Sequence, residues 1–201
     1  MNSLLVTYIL QTEKWTSPEL FETKNRIYTF LNPVSYLIAL ENKSLFEQFD
    51  GIFADGSLLV SAIRLVYGKR VTRRSFDMTS LAPELLNYLM ESRKTLYIVA
   101  SGQEQVECSV RIFQEQYPEL RIAGFRNGYF SSDAEMNKEA SHIVELNPDF
   151  LIVGMGALMQ EKFLLKVKKM GYQGIGFTCG GFVHQTAMNS CLLYTSPSPR
   201  D

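Results

Sequence analysis

The sequence predicts an α/β fold: a Rossmann-like layered sheet of mostly parallel strands with flanking helices. Short apolar runs alternate with amphipathic helical patterns along the chain, and the two most apolar runs, LYIVA (96–100) and FLIVGM (150–155), are continuous. A half-exposed strand alternates apolar with polar residues, so a continuous run marks a strand covered on both faces, as parallel sheets require. Strand followed by helix, repeated, implies right-handed crossovers and a ligand site at the C-terminal ends of the strands.

The predicted strands are Arg26 to Leu31, Gly51 to Ala54, Thr95 to Ala100, Arg121 to Phe125, Phe150 to Met155 and Gly174 to Cys179. The apolar start, Leu4 to Leu10, also reads as a strand, because it spans only about a third of the roughly 20 residues that cross a bilayer and has no basic flank or cleavage site. Helices are predicted for Gly56 to Val66, Thr79 to Glu91, Gln103 to Gln116, Ser132 to Leu146 and Met159 to Lys169, each with aliphatic residues three and four apart. No repeat or linker interrupts this order.

At 201 residues, 46% hydrophobic and 20% charged, the chain has the statistics of one domain around one core. Twenty basic against twenty-one acidic residues give a net charge of -1, which supplies no field to collect nucleic acid. Cys108, Cys179 and Cys191 are odd in number and widely spaced, matching neither a disulfide framework nor a zinc pattern and fitting a reducing cytosol. The last eleven residues, CLLYTSPSPRD from Cys191 to Asp201, back-translate into a string resembling a transposase-type sequencing adapter. Residues 1–190 are therefore assigned to the core and 191–201 to a non-native tail, with the natural C-terminal segment expected to be missing.

Residues with chemical potential fall just after the predicted strands. Asp55 leaves IFA directly before a helix, where it serves either as an N-cap or as a general base at a sheet edge. Arg73 and Arg74 lie in a turn, as a solvated pair or as a fork for a diphosphate. Ser101 and Gly102 follow LYIVA, and Gly180 and Gly181 follow IGFTC. Gly154 and Gly156 supply two glycines of a dinucleotide loop, but Met159 stands in the third place and no acidic residue follows at the spacing a nicotinamide site needs. Such a turn still lets phosphate approach a helix start, with Gln160 and Glu161 in the first helical turn, capping or contacting ligand. Cys179 and His184 form no metal set, and a Cys–His nucleophile pair would lack an orienting third member.

Together NPVSYLIA, IFADGSLLV, RLVYGKRVTRRSFDM, GYF at 128–130, FLIVGMGALMQEKF and GFTCGGFVHQT, spanning Arg26 to Ala187, resemble the WecG/TagA/CpsF glycosyltransferases, glycosyltransferase family 26. The resemblance implies the compact GT-E form of the Rossmann-like fold. It also implies inverting transfer from a UDP-sugar donor (N-acetylmannosamine type, its uronic acid, or glucose) to a polyprenyl-diphosphate-linked sugar acceptor, without a metal or other cofactor. By matching position, it implies Asp55 as the base that deprotonates the acceptor hydroxyl. Arg73, Gln160, Asn32, Thr29, Gly102, Gly154, Gly156, Gly180 and Gly181 are then the substrate-binding residues. Thr29 lies one place earlier than the family's threonine, Leu158 replaces its usual proline, and the stretch between Arg73 and Asp77 is one residue short. Family members continue past Ala187 with a basic, aromatic-rich appendage, which implies a cytoplasmic protein peripheral at the inner membrane face, docked through that segment, with room for a homo-oligomer. Two other readings follow from the residues: a non-catalytic nucleotide-sugar-binding module, and an NAD-linked oxidoreductase resting on Gly154 and Gly156 alone.

Overall fold

In the computed structural model, which describes residues 4–195 and side chains as far as Asn189, six parallel strands form one sheet in the order β2-β1-β6-β5-β3-β4. They are β1 (Arg26–Leu31), β2 (Gly51–Ala54), β3 (Thr95–Ala100), β4 (Arg121–Arg126), β5 (Phe150–Gly154) and β6 (Ile175–Thr178). The predicted strands are thus present, shifted by at most one residue at an end. The tail assignment falls on residues 191–201, whose side chains lie outside the described residues.

One expected strand is a helix. Leu4 to Leu10 belongs to α1 (Leu4–Thr12), which buries Leu5, Val6, Ile9 and Thr12, a spacing of one helical face. The run LLVTYIL is short and apolar but for Thr7 and the Tyr8 hydroxyl, so periodicity alone could not separate a strand from a buried helix. Thr12 fixes the helix to the sheet by donating from Oγ1 to the Ile52 carbonyl at 2.8 Å.

Helices cover both faces. On one side α2 (Ser17–Glu22), α6 (Leu81–Ser92), α7 (Gln103–Gln116) and the start of α10 (Phe182–Thr195) enclose an aromatic core. Phe177 is its hub, with ring centroids 5.1 to 6.4 Å from those of Phe21, Tyr28, Phe30, Phe76 and Phe150. On the other side α1, α3 (Pro33–Glu41), α4 (Lys43–Phe46), α5 (Ser57–Tyr67), α8 (Asp133–Leu146) and α9 (Met159–Lys169) enclose an aliphatic core of Leu31, Val99, Leu151, Val153, Leu164 and their neighbours. Edge strand β4 alternates exposed with half-buried residues, whereas β5 is buried throughout.

The crossover from β3 to β4 runs through α7 on the aromatic side, and that from β5 to β6 through α9 on the aliphatic side. Because β3 and β5 are neighbours, their outgoing loops part in opposite directions and leave a crevice at the C-terminal edge of the sheet.

Candidate active site

That crevice is a cleft of about 830 Å³. Every strand exit contributes to it: Asn32 after β1, Asp55 after β2, Ser101 after β3, Gly128 to Phe130 after β4, Gly154 and Gly156 at β5, and Cys179 to Gly181 after β6.

Asp55 does not cap α5. The N-cap is Gly56, with no side-chain cap bond. The Asp55 backbone N–H is fixed on Leu31 O at 2.8 Å, while its carboxylate has no hydrogen-bond partner among the described residues. Partial burial raises its pKa above the usual aspartate value; the Arg73 guanidinium pulls the other way and the charge of Asp77 adds to the rise. A carboxylate without partners, poised upward in a cleft, is suited to accept a proton.

A second acid, Asp77, also lines the cleft and was absent from the residues singled out by sequence. It accepts from Ser75 Oγ at 2.7 Å, Thr79 N at 2.8 Å, Thr79 Oγ1 at 2.6 Å and Arg73 NH2 at 2.8 Å. Burial alone would raise its pKa, but these bonds outweigh that and hold it low. Two carboxylates whose environments push them apart can take different roles. The S-x-D-x-T spacing of Ser75, Asp77 and Thr79 was legible, though as a turn motif.

Three expected ligand residues are displaced from the cleft wall. Arg73 sits at the rim, its side chain 40% exposed and engaged by Asp77. Its neighbour Arg74 is structural, donating to Trp15 O at 2.8 Å and lying over the Phe53 ring. Gly102 starts α7 behind the wall, and Ser101, at φ 56°, takes the cleft position instead. Thr29 is fully buried beneath the floor, one residue too early on β1 to face outward.

Asn32, Gly154, Gly156, Gln160, Gly180 and Gly181 do line the cleft. Asn32 also caps α3, its Oδ1 accepting from Ser35 N at 2.9 Å. Gly154 is required by close approach, since a Cβ there would lie 2.6 Å from Gly180 O and 2.8 Å from Cys179 Sγ. Gly180 has φ 51°, a left-handed turn between β6 and α10 that costs glycine little. The N–H groups of Gly156, Ala157 and Gly181 have no partner among the described hydrogen bonds, and they front the starts of α9 and α10, where anions are favoured.

Under this floor runs a polar chain. Thr178 Oγ1 donates to Thr29 Oγ1 at 2.9 Å, and Thr29 Oγ1 to Glu161 Oε1 at 2.9 Å. Gln160 Nε2 donates to the same Glu161 oxygen at 2.9 Å, and Gln160 Oε1 accepts from Gly180 N at 3.1 Å. Glu161 Oε2 accepts from Leu158 N at 2.7 Å. Leu158 holds φ 72°, a conformation closed to the proline expected there, whose ring fixes φ near −65° and removes the N–H.

Cys179 borders the cleft, but burial pushes its thiol up to about 12, which leaves it protonated at neutral pH and unsuited to nucleophilic attack. Among the described residues no group of three or more His, Cys, Asp or Glu side chains is placed to hold a metal ion. Tyr129 was quoted only as part of GYF, yet its ring lines the cleft and is 75% exposed. Its backbone is pinned by Asn127 Oδ1 at N and by Arg126 NH2 at O, each at 3.0 Å.

Residues 10–189 match the profile of the Glycosyl transferase WecG/TagA/CpsF family. The chain is 32% identical over 168 residues to the UDP-Gal:alpha-D-GlcNAc-diphosphoundecaprenol beta-1,4-galactosyltransferase of Shigella boydii, covering 84% of this chain and 70% of the relative. It is 23% identical over 185 residues to the N-acetylglucosaminyldiphosphoundecaprenol N-acetyl-beta-D-mannosaminyltransferase of Bacillus subtilis, covering 90% of this chain and 69% of the relative. The Staphylococcus aureus enzyme of the same name is 25% identical over 146 residues, 71% of this chain and 56% of the relative. With the matched region running across both cores and every wall of the cleft, this chain belongs to the WecG/TagA/CpsF family of glycosyltransferases.

Proposed function

We propose that the chain transfers a hexose unit from a UDP-sugar to a hydroxyl of a polyprenyl-diphosphate-linked N-acetylglucosamine acceptor, with inversion. The relatives' names supply the substrate class: galactose or N-acetylmannosamine donated onto a diphosphoundecaprenol-linked sugar. Galactose widens the donor range expected from sequence. The names also specify β products, and UDP-hexoses of this kind are α-linked, so one displacement with inversion accounts for them.

The single observation that carries the reading is Asp55, a part-buried carboxylate in the cleft lining that has no hydrogen-bond partner among the described residues. In the proposed step it takes the proton of the acceptor hydroxyl as that oxygen bonds the anomeric carbon. The bond from that carbon to the diphosphate breaks, and UDP leaves with the electron pair. Charge on the departing diphosphate falls to the N–H groups of Gly156, Ala157 and Gly181, to the two helix starts and to Arg73 at the rim. These donors supply the role a divalent ion would otherwise fill, and we propose a metal-independent reaction. The exposed face of Tyr129 suits a nucleobase. No helix among the described residues is long and apolar enough to cross a membrane; the lipid acceptor would bring the enzyme to the membrane face as a peripheral protein.

The test is a transfer assay with UDP-galactose and UDP-N-acetylmannosamine on a lipid-diphosphate N-acetylglucosamine acceptor, alongside calorimetric titration with UDP. Asp55→Asn should reduce turnover by about 10²- to 10⁴-fold and leave UDP affinity intact. Undiminished turnover in that variant would remove Asp55 from the mechanism. UDP binding without transfer by a chain extended to its relatives' length would favour a non-catalytic module.

A further inference from the structure

Glu161 is fully buried, and among the described residues no lysine or arginine pairs with it. An ionisable group held this way is costly unless directed donors meet it. Here they do: Thr29 and Gln160 donate to one oxygen and Leu158 N–H to the other. The carboxyl also lies in the first turn of α9, where the helix N-terminus favours negative charge.

These bonds have a direction. Gly180 N–H can only donate, so the Gln160 amide must turn its oxygen toward it, and the amide NH2 must then find an acceptor on the far side. Glu161 Oε1 is that acceptor. Reversing the amide would set NH2 against N–H at one end and carbonyl against carboxyl at the other. The same carboxyl holds the N–H of Leu158, whose positive φ shapes the turn after Gly156. One side chain therefore ties together the two glycine turns at the exits of β5 and β6.

We infer that Glu161 is a positioning residue for a nucleoside diphosphate: acting through Gln160 and Leu158, it sets the Gly180–Gly181 and Gly156–Leu158 turns so that their N–H groups converge on the phosphates. This rests on the donor reading above. It assigns the buried acid a role in affinity as well as in folding.

Glu161→Gln keeps the shape but must place an NH2 against either the Leu158 N–H or the Gln160 amide, so one turn loses its support. UDP affinity by calorimetry should weaken about tenfold or more, the scale of a buried donor left unpaired, and NMR should show faster hydrogen exchange at the Gly180 amide. Thr178→Val, at the far end of the polar chain, should lower the melting temperature yet leave UDP affinity within about twofold. If Glu161→Gln does not fold, Gln160→Met deletes the link, with Gly180 exchange as its readout because Gln160 itself lines the cleft: unchanged exchange overturns the inference, and faster exchange upholds it. A folded Glu161→Gln chain that binds UDP within about twofold of the parent overturns the inference. If the parent binds no UDP, the donor reading fails separately, and the Gly180 exchange decides: unchanged exchange in Glu161→Gln overturns the positioning role, and accelerated exchange upholds control of that turn.

Discussion

Asp55 and Asp77 are the same residue type on the same cleft, and only their neighbours separate them. Asp55 has burial and no donors; Asp77 has four donor contacts, including the Arg73 guanidinium. The charge of Asp77 raises Asp55, while the Arg73 guanidinium that Asp77 holds pulls it the other way. Asp77→Asn should therefore lower the Asp55 pKa and move the acid limb of the pH–rate profile to lower pH, read from initial rates across the acid range. The linkage sign at Asp55 is opposite to that of a salt-bridged aspartate. Its folded pKa is raised, so the native state holds a proton that the unfolded chain has already released, and stability is lost as pH rises through that window. Asp55→Asn should accordingly melt no lower than the parent at neutral pH, and preferably higher. The position of Asp55 at a strand exit was legible in IFADG, but its freedom from a capping role was not, because Asp before a helix is common in both roles.

At the scale of elements, the site depends on how closely the exits of β5 and β6 approach. Gly154→Ala would drive a methyl into the Gly180 carbonyl and the Cys179 sulfur. Backbone on one side and a buried side chain on the other leave little relief, so the variant should lose about 1–3 kcal/mol of stability, measured by chemical denaturation, and should bind UDP more weakly because the Gly180 turn moves with it. The glycines of this segment attract a dinucleotide interpretation on spacing alone; in the fold Gly154 is a packing requirement between two strand ends, and Gly156 is the exposed part of the turn. The predicted helices α7 and α9 match their observed bounds, because apolar residues recur every three or four positions over three turns. The short helices α2 and α4 carry no such signal, with too few residues to repeat a period. α1 was misread for a related reason: seven nearly all-apolar residues give too little period to measure.

For the whole molecule, the sheet is stabilised by two cores, one richer in aromatic rings and the other mainly aliphatic with Phe46, Phe49, Tyr97, Phe163 and Tyr172 among its members. Phe177 lies on β6 near the middle of the sheet, fully buried among five rings. Phe177→Ala should cost about 3–5 kcal/mol, seen as a shift in the denaturation midpoint and as loss of the ordered β6 exit that carries Cys179 and Gly180. The sequence by itself determined the layered parallel sheet and the strand exits as the place for chemistry, because burial on both faces and helical periodicity are written in neighbouring residues, and the order of its motif blocks carried the resemblance to the family. Only the tertiary structure decided which side chains face the cleft. Thr29, Glu161 and Thr178 come from three elements far apart in the chain, and Asp77 approaches Asp55 across a loop; such contacts depend on register and crossover, which no local pattern encodes.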